Sequence, residues 1–319
     1  MADIGCAGIL VSDIFCSPMK QFPGEGELVK IDSITTSAGG CSANVAIDLA
    51  KLGFDVDIVG CVGKDSAASA LLASLDENNI GSEQVMYITG YPTSRTVILL
   101  VEGQDRRYIH TIGANNAFTA SHIKREWLAG LKIFYLGGLF ALPAVKTQEL
   151  LDVLKFCREI KVLTIIDVVV PQGRGNFDDI KPLLPYIDFF LPNNDEAKEL
   201  TSKEDVLEQV KVFMANGANT VIITRGCDGA IAARDNQLWR CGIYNIDSID
   251  PSGSGDAFDA GLIAGIQRGY EMTDMLRYAS AVAASANRAI GTTTGIFTPE
   301  ELEKFVSSNK LEVTCDNLE

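Results

Sequence analysis

Short apolar runs alternate with amphipathic stretches along most of this 319-residue chain. The runs at 4–11, 55–62, 131–136, 162–167, 187–191 and 219–224 have the length and composition of buried strands. Helical spacing lies between them. Val45, Ile47, Leu49, Ala50 and Leu52 form one face, stopped by Gly53, and Ala67, Leu71, Leu72 and Leu75 form another within 64–79. Further helices are predicted at 147–160 and 195–215. The section 229–249 reads as short strands turning at Asp235-Asn236, the last ending at Ile249. Helices then follow from 254, over 273–289 and from Thr298-Pro299-Glu300, where proline suits a first helical turn. Alternation of this kind predicts an α/β domain with a mostly parallel sheet covered on both faces.

Two β-rich pieces, at about 14–38 and 92–113, interrupt that alternation. The first holds a loop with Pro18, Pro23, Gly24 and Gly26 and an alternating, exposed strand at 28–36. The second reads as a hairpin, with strands 93–102 and 107–112 joined at Gly103-Gln104-Asp105. The expectation is a single domain, 1–310, whose two β pieces form a small lid over the carboxyl ends of the main strands. Ligands bind at those ends in open α/β sheets. The acidic, polar stretch 311–319 is expected to fray.

Composition narrows the function. Apolar residues make up 47% and charged residues 22%, as in ordinary globular proteins. With 42 acidic against 27 basic residues, the net charge of −15 disfavours nucleic acid as a partner. No uncharged run is long enough for a bilayer span, and Met1-Ala2-Asp3 begins no signal peptide, so a cytoplasmic protein with no membrane partner is expected. Eight scattered cysteines without a C-x-x-C pair, and only His110 and His122, give no zinc spacing and suit reduced thiols.

The chemistry concentrates at 250–266. Asp250 and Ser252 lead into a turn, Gly253-Ser254-Gly255, and then into Asp256 and an apolar helical run. A helix beginning in that turn presents unpaired backbone N–H groups and its positive end, an anion site. A carboxylate beside an anion site repels simple anions. It makes sense as a base that takes a proton from a hydroxyl attacking a bound phosphoryl group. The plain alternative is a capped helix after a loop. Other pieces carry similar pairs of readings. Asp13 either caps a loop or accepts hydroxyl hydrogen bonds from a sugar, and Gly39-Gly40 with Asn44 is an ordinary turn or a polyol contact. Asn193 and Glu196 cap a helix or organise magnesium and phosphate, and Thr224, Gly226 and Gly229 form a turn or a nucleotide contact. A dinucleotide fingerprint fails because Phe258 stands at its last glycine position, and no lysine-bearing phosphate loop exists.

Taken together and in this order, these motifs resemble the ribokinase-like, or PfkB, carbohydrate kinases over roughly 4–307. The D-x-x-G-x-G-D run from Asp250 to Asp256 is the most specific of them. The resemblance implies a three-layer α/β/α fold with a β lid, and transfer of the ATP γ-phosphoryl group to a sugar hydroxyl. It implies Asp256 as base and Gly253, Ser254 and Gly255 as the anion hole, with Asp13, Gly39, Gly40 and Asn44 on the sugar. Asn193 and Glu196 would serve magnesium and phosphate; Thr224, Gly226, Gly229 and Asn287 would line the ATP side. Asp250, Ser252 and Gly291 would frame a monovalent cation such as potassium. A homodimer through the lid is also implied.

Departures are Ser254 for the usual alanine, Pro251 for the usual threonine, and Val168-Val169-Val170-Pro171 where many members carry Asn and Arg. The acceptor is left open among ribose, fructose, a 2-keto-3-deoxy acid, a sugar phosphate and a nucleoside. Arg95, Arg106 and Arg107 on the lid suit an acidic sugar, with Arg107 the chosen substrate contact. Side-chain alternation means that Arg106 and Arg107 do not share a face. Phe15, Phe22 and Tyr108 are candidates to stack on a base. A non-catalytic sensor and a flavin or nicotinamide oxidoreductase are the competing classes.

Overall fold

In the computed structural model, which describes residues 2–104, 106–171 and 176–318, the apolar runs form the centre of a ten-stranded sheet. Along the chain come β1 (Ile4–Gly8), β2 (Val11–Met19), β3 (Ile34–Gly39), α1 (Cys41–Lys51), β4 (Val56–Val62), α2 (Ser66–Glu77) and β5 (Gly81–Tyr87). Next are β6 (Arg95–Val101), β7 (Arg107–Thr111), α3 (Arg125–Leu128), β8 (Ile133–Gly137), α4 (Thr147–Glu159) and β9 (Leu163–Asp167). Then follow α5 (Phe177–Ile180), β10 (Phe189–Leu191), α6 (Asn194–Thr201), α7 (Val206–Ala215), β11 (Thr220–Thr224), β12 (Ala230–Arg234) and β13 (Gln237–Cys241). The chain ends with α8 (Ser254–Gln267), α9 (Met272–Ala286), α10 (Pro299–Ser308) and β14 (Val313–Asn317).

The large sheet runs β14-β13-β12-β11-β10-β9-β8-β1-β4-β5. Its strands are parallel from β5 to β11 and antiparallel from β11 through β12 and β13 to β14. Successive side chains on a strand point to opposite faces, so each central strand feeds two cores. Ile133 and Tyr135 pack on one side with residues of α1, α2, α8, α9 and α10. Phe134 and Leu136 pack on the other side with residues of α4, α6 and α7. These are the expected three layers. Burying a side chain of this size contributes about 1.5–3 kcal/mol, so the continuous apolar runs stabilise both faces at once.

A separate four-stranded sheet has the order β3-β2-β6-β7. Only Ile9 and Leu10 separate β1 from β2, so the chain leaves the large sheet at its carboxyl end and enters the small one directly. Asn115 pins this crossover, accepting from Leu10 N–H and donating to its carbonyl. The cleft between the sheets thus lies at the carboxyl ends of the parallel strands.

Several boundaries differ from expectation. The run 4–11 divides between two sheets, which puts Asp13 inside β2 rather than at the end of the first strand. Only Ile34–Gly39 of the first β piece pairs as the second strand there, because residues 20–33 form a largely exposed, polar loop. The helix expected over 195–215 breaks in two: Ser202 adopts a left-handed conformation (φ 56°) and Asp205 caps the second segment. Residues 242–250 are not a strand; Ile249 N–H donates to the Asn287 carbonyl instead. β5 was not anticipated, its exposure pattern being too irregular to show alternation. The tail does not fray. Val313–Asn317 pairs along β13, from Gln237↔Asn317 to Cys241↔Val313, because an added edge strand needs backbone partners more than apolar side chains. The expected hairpin forms as β6 and β7, though Asp105 of its turn lies outside the described residues. All eight cysteines are unbridged. Among the described residues no helix is long and apolar enough to cross a membrane.

Candidate active site

The cleft between the sheets holds a cavity of about 960 Å³. The large sheet lines it with residues just past its strands: Ile9 after β1, Val168 after β9, Asn193 after β10 and Gly226 after β11. The small sheet contributes every second residue, namely Val11 and Asp13, Thr96 and Ile98, and Tyr108 and His110.

Asp256 stands in the first turn of α8 and lines the cavity. Its carboxylate accepts a 2.7 Å hydrogen bond from Asn44 Nδ2, and Asn44 Oδ1 accepts from the Thr292 hydroxyl at 2.8 Å. Burial raises the Asp256 pKa above the ordinary carboxylate value, while the bonds from Asn44 and the Cys41 thiol pull it down. Asn44, expected as a sugar contact, is 3% exposed, is not among the cavity's lining residues and bonds Asp256. The preceding turn depends on glycine. Gly253 has φ 80°, and a Cβ there would lie 2.2 Å from the Thr292 carbonyl oxygen. Ser254 and Gly255 also line the cavity, at the end of α8 where the first N–H groups have no acceptor within the helix.

Asp13 faces the same space from β2. Burial pushes it up to about 6, with the Thr96 hydroxyl lowering and the Asp256 charge raising that value. Gly39 on the neighbouring strand makes the position possible, since a Cβ there would fall 1.9 Å from Asp13 Oδ2. Gly40 precedes α1 and lines the cavity.

Asn193 and Glu196 form a reciprocal capping box at α6, at 2.9 and 2.8 Å, and both also line the cavity. Burial pushes Glu196 up to about 7, against the backbone N–H groups of Asn193 and Val170. The residues of the helix cap therefore also face the cavity. Thr224, Gly226, Gly229 and Asn287 line the same cavity.

Sequence reasoning missed several residues. Asp167 ends β9, with Oδ2 accepting from Gly138 N–H at 3.0 Å; burial and the charges of Asp259, Glu196 and Asp256 hold it well above the carboxylate range. Asp259, one turn beyond Asp256 at α8, accepts from Tyr135 and is raised by burial and Asp256. A carboxylate at the carboxyl end of a parallel strand was the available signal for Asp167. Arg106 was weighed among the lid arginines but Arg107 was chosen over it. It lines the cavity and donates from Nη1 to Ser252 Oγ at 3.1 Å, with Asp250 Oδ1 at 3.9 Å. Arg107, expected as a substrate contact, bonds Gln104 and does not line the cavity, whereas its neighbour Arg106 does. Arg95 pairs with Asp65, which caps α2.

Cys41 Sγ and carboxylate oxygens of Asp167 and Asp256 fall within 4.8 Å of one another. Burial and the two carboxylates hold the thiol protonated, so it donates to Asp256 and offers no soft ligand. The crowded carboxylates instead suit a hard, oxygen-bound cation such as magnesium. The monovalent-cation frame fits poorly. Asp250 is 1% exposed, with Oδ1 accepting from Ser252 N–H and Oγ and Oδ2 from Gly291 N–H.

The family described as pfkB family carbohydrate kinase matches residues 1–299. The ATP-dependent 6-phosphofructokinase of Thermoanaerobacterium thermosaccharolyticum is 27% identical over 274 residues, 83% of this chain and 84% of that one. The adenosine kinase of Schizophyllum commune is 25% identical over 309 residues, 89% of each. Among solved structures, Arabidopsis thaliana ribokinase complexed with ribose and ATP superposes with a TM-score of 0.82 at 23% identity, covering 96% of this chain and 98% of its own.

Proposed function

We propose that this chain, which belongs to the pfkB family of carbohydrate kinases, transfers the ATP γ-phosphoryl group to a hydroxyl of a small sugar, with Asp256 as the base. The enzyme is a phosphotransferase acting on an alcohol group. The observation that carries the finer reading is Asp256 beside the Gly253–Gly255 turn in one cavity, its carboxylate oriented by Asn44.

Asp13 accepts hydrogen bonds from the acceptor's hydroxyls and fixes which one reaches Asp256. Asp256 takes that proton as the oxygen attacks, and its raised pKa makes it the stronger base. The turn N–H groups stabilise charge on the moving phosphoryl. Glu196, Asn193 and Asp167 would hold magnesium, which when bound neutralises phosphate charge. Thr224, Gly226, Gly229 and Asn287 form the nucleotide side. The small sheet acts as a lid excluding water, a competing acceptor. Asp250 and Gly291 are read as the frame of the turn, not as cation ligands.

A neutral sugar such as ribose or fructose is the default acceptor. A nucleoside is the second reading, favoured by Tyr108, whose 54% exposed ring lines the cavity; Phe15 is buried, and Phe22 does not line the cavity. The test is an ADP-release assay over sugars, sugar acids, sugar phosphates and nucleosides, on wild type and Asp256→Asn. Turnover with one acceptor class is expected, falling about 10²–10⁴-fold in the variant while ATP binding persists. Near-normal turnover in Asp256→Asn, or silence across the panel, would overturn the reading.

A further inference from the structure

A polar row crosses the cavity face of the small sheet. Asp13 on β2 stands opposite Thr96 on β6, and Thr96 stands opposite His110 on β7. All three line the cavity. The next row of the same facing is apolar, with Phe15 opposite Ile98 and Ile98 opposite Tyr108. Residues two apart on a strand share a face, so the sheet offers one hydrogen-bonding stripe bordered by an apolar one.

The hydrogens of that stripe follow from its chemistry. The Thr96 hydroxyl lowers the Asp13 pKa, as a hydroxyl does when it donates to a carboxylate. A hydroxyl owns one proton, so Thr96 can only accept from its other partner, His110 Nδ1, 3.0 Å away. Nδ1 therefore carries a hydrogen. Desolvation holds the imidazole pKa below its ordinary value, so the ring is neutral near pH 7 and Nε2 keeps its lone pair. Both ends of the row, the Asp13 carboxylate and His110 Nε2, are hydrogen-bond acceptors.

Charge points the same way. Asp13, Asp167, Glu196, Asp256 and Asp259 line the cavity, and among the described lining residues Arg106 is the one arginine or lysine. Arg106 Nη1 is held on Ser252 Oγ at 3.1 Å, and roughly 13 Å of extended chain separates residue 106 from residue 110. A carboxylate or phosphate beside His110 would therefore meet a lone pair and a neighbouring carboxylate, with the cation far away.

We infer that His110 is a specificity-determining residue: its Nε2 accepts a hydrogen bond from an acceptor hydroxyl that is not phosphorylated, which selects an uncharged polyol over a sugar acid or sugar phosphate. Thr96 is the positioning residue, since its bond to Asp13 fixes the tautomer. The other tautomer would present an N–H and suit a carboxylate; the Thr96 bond disfavours it.

This inference rests on the kinase reading, and its test separates the two. ADP release is measured with ribose, fructose and adenosine, each beside its monodeoxy analogues, and with a hexose phosphate and a 2-keto-3-deoxy acid. Wild type, His110→Leu, His110→Gln and Thr96→Val are compared. Wild type is expected to prefer a neutral acceptor, and removal of one non-reacting hydroxyl should lower its kcat/KM about 100-fold. In His110→Leu the complete acceptor and that analogue come within about tenfold of each other, the loss falling on the acceptor's KM. His110→Gln, whose amide oxygen also accepts, keeps part of the preference, and Thr96→Val weakens it with the imidazole still present. A merely structural role would depress the complete acceptor and its analogue alike. Wild type and all three variants equally sensitive to every missing hydroxyl overturn this inference and leave the kinase reading standing. So does a wild type that turns over the hexose phosphate or the acid best. A wild type silent with every acceptor overturns the kinase reading, and this inference with it.

Discussion

Asn44 donates to Asp256 across 212 residues of sequence, and the 2.7 Å bond is one of the forces that keep this buried carboxylate ionisable. Burial alone would raise its pKa further, because a desolvated carboxylate favours the neutral form. Asn44→Leu removes the donor, so the Asp256 pKa rises. A general base works only when deprotonated, so the acid limb of kcat/KM moves to higher pH, and turnover at neutral pH falls about tenfold or more. A pH–rate profile of the two proteins checks this. An unmoved acid limb would show that Asn44 does not act through Asp256.

Asp13 supports a prediction about stability. Its pKa in the folded protein is about 6, above the ordinary carboxylate value of about 3.9. The native state therefore holds a proton that the unfolded state has released between those values, and stability falls as pH rises through the window. Above pH 6 the full cost applies, roughly 2–3 kcal/mol for a shift of this size. Asp13→Asn keeps the shape without the charge. It is expected to melt higher than wild type at pH 8, to lose that advantage as pH falls from about 6 to 4, and to bind the acceptor poorly throughout. Calorimetry at three pH values decides the matter, and a pH-independent difference would refute it.

Local rules made most of the large sheet legible, because strands buried on both faces announce themselves as apolar runs. They failed where partners are distant. Nothing near Asn44 hints that its amide faces Asp256, and nothing near Arg106 says that it meets Ser252. The choice between Arg106 and Arg107 hangs on a register of one residue, which Tyr108 and His110 fix only once β7 is paired with β6. Val313–Asn317 was misread for a different reason: its side chains are mostly exposed, and its pairing is carried by the backbone. The Asn193–Glu196 pair was read as a cap or as a site. It is a cap whose residues also face the cavity, and pattern alone does not separate two roles met by one geometry.

The small sheet presents a second surface away from the cavity. Its strands pair Ile14 with Val97 and Val97 with Ile109, so three apolar side chains form one row across β2, β6 and β7. Ile109 is 62% exposed, and Ile34 at the start of the edge strand β3 is 67% exposed. Exposed apolar side chains on a sheet with two open edges favour association, and a second copy of the chain offers the matching surface. The protein is therefore expected to be a homodimer through this sheet. Ile109→Glu places a charge in the row and should halve the mass seen by light scattering at micromolar concentration, while the melting temperature of the monomer changes little. A wild-type mass equal to one chain would refute the dimer.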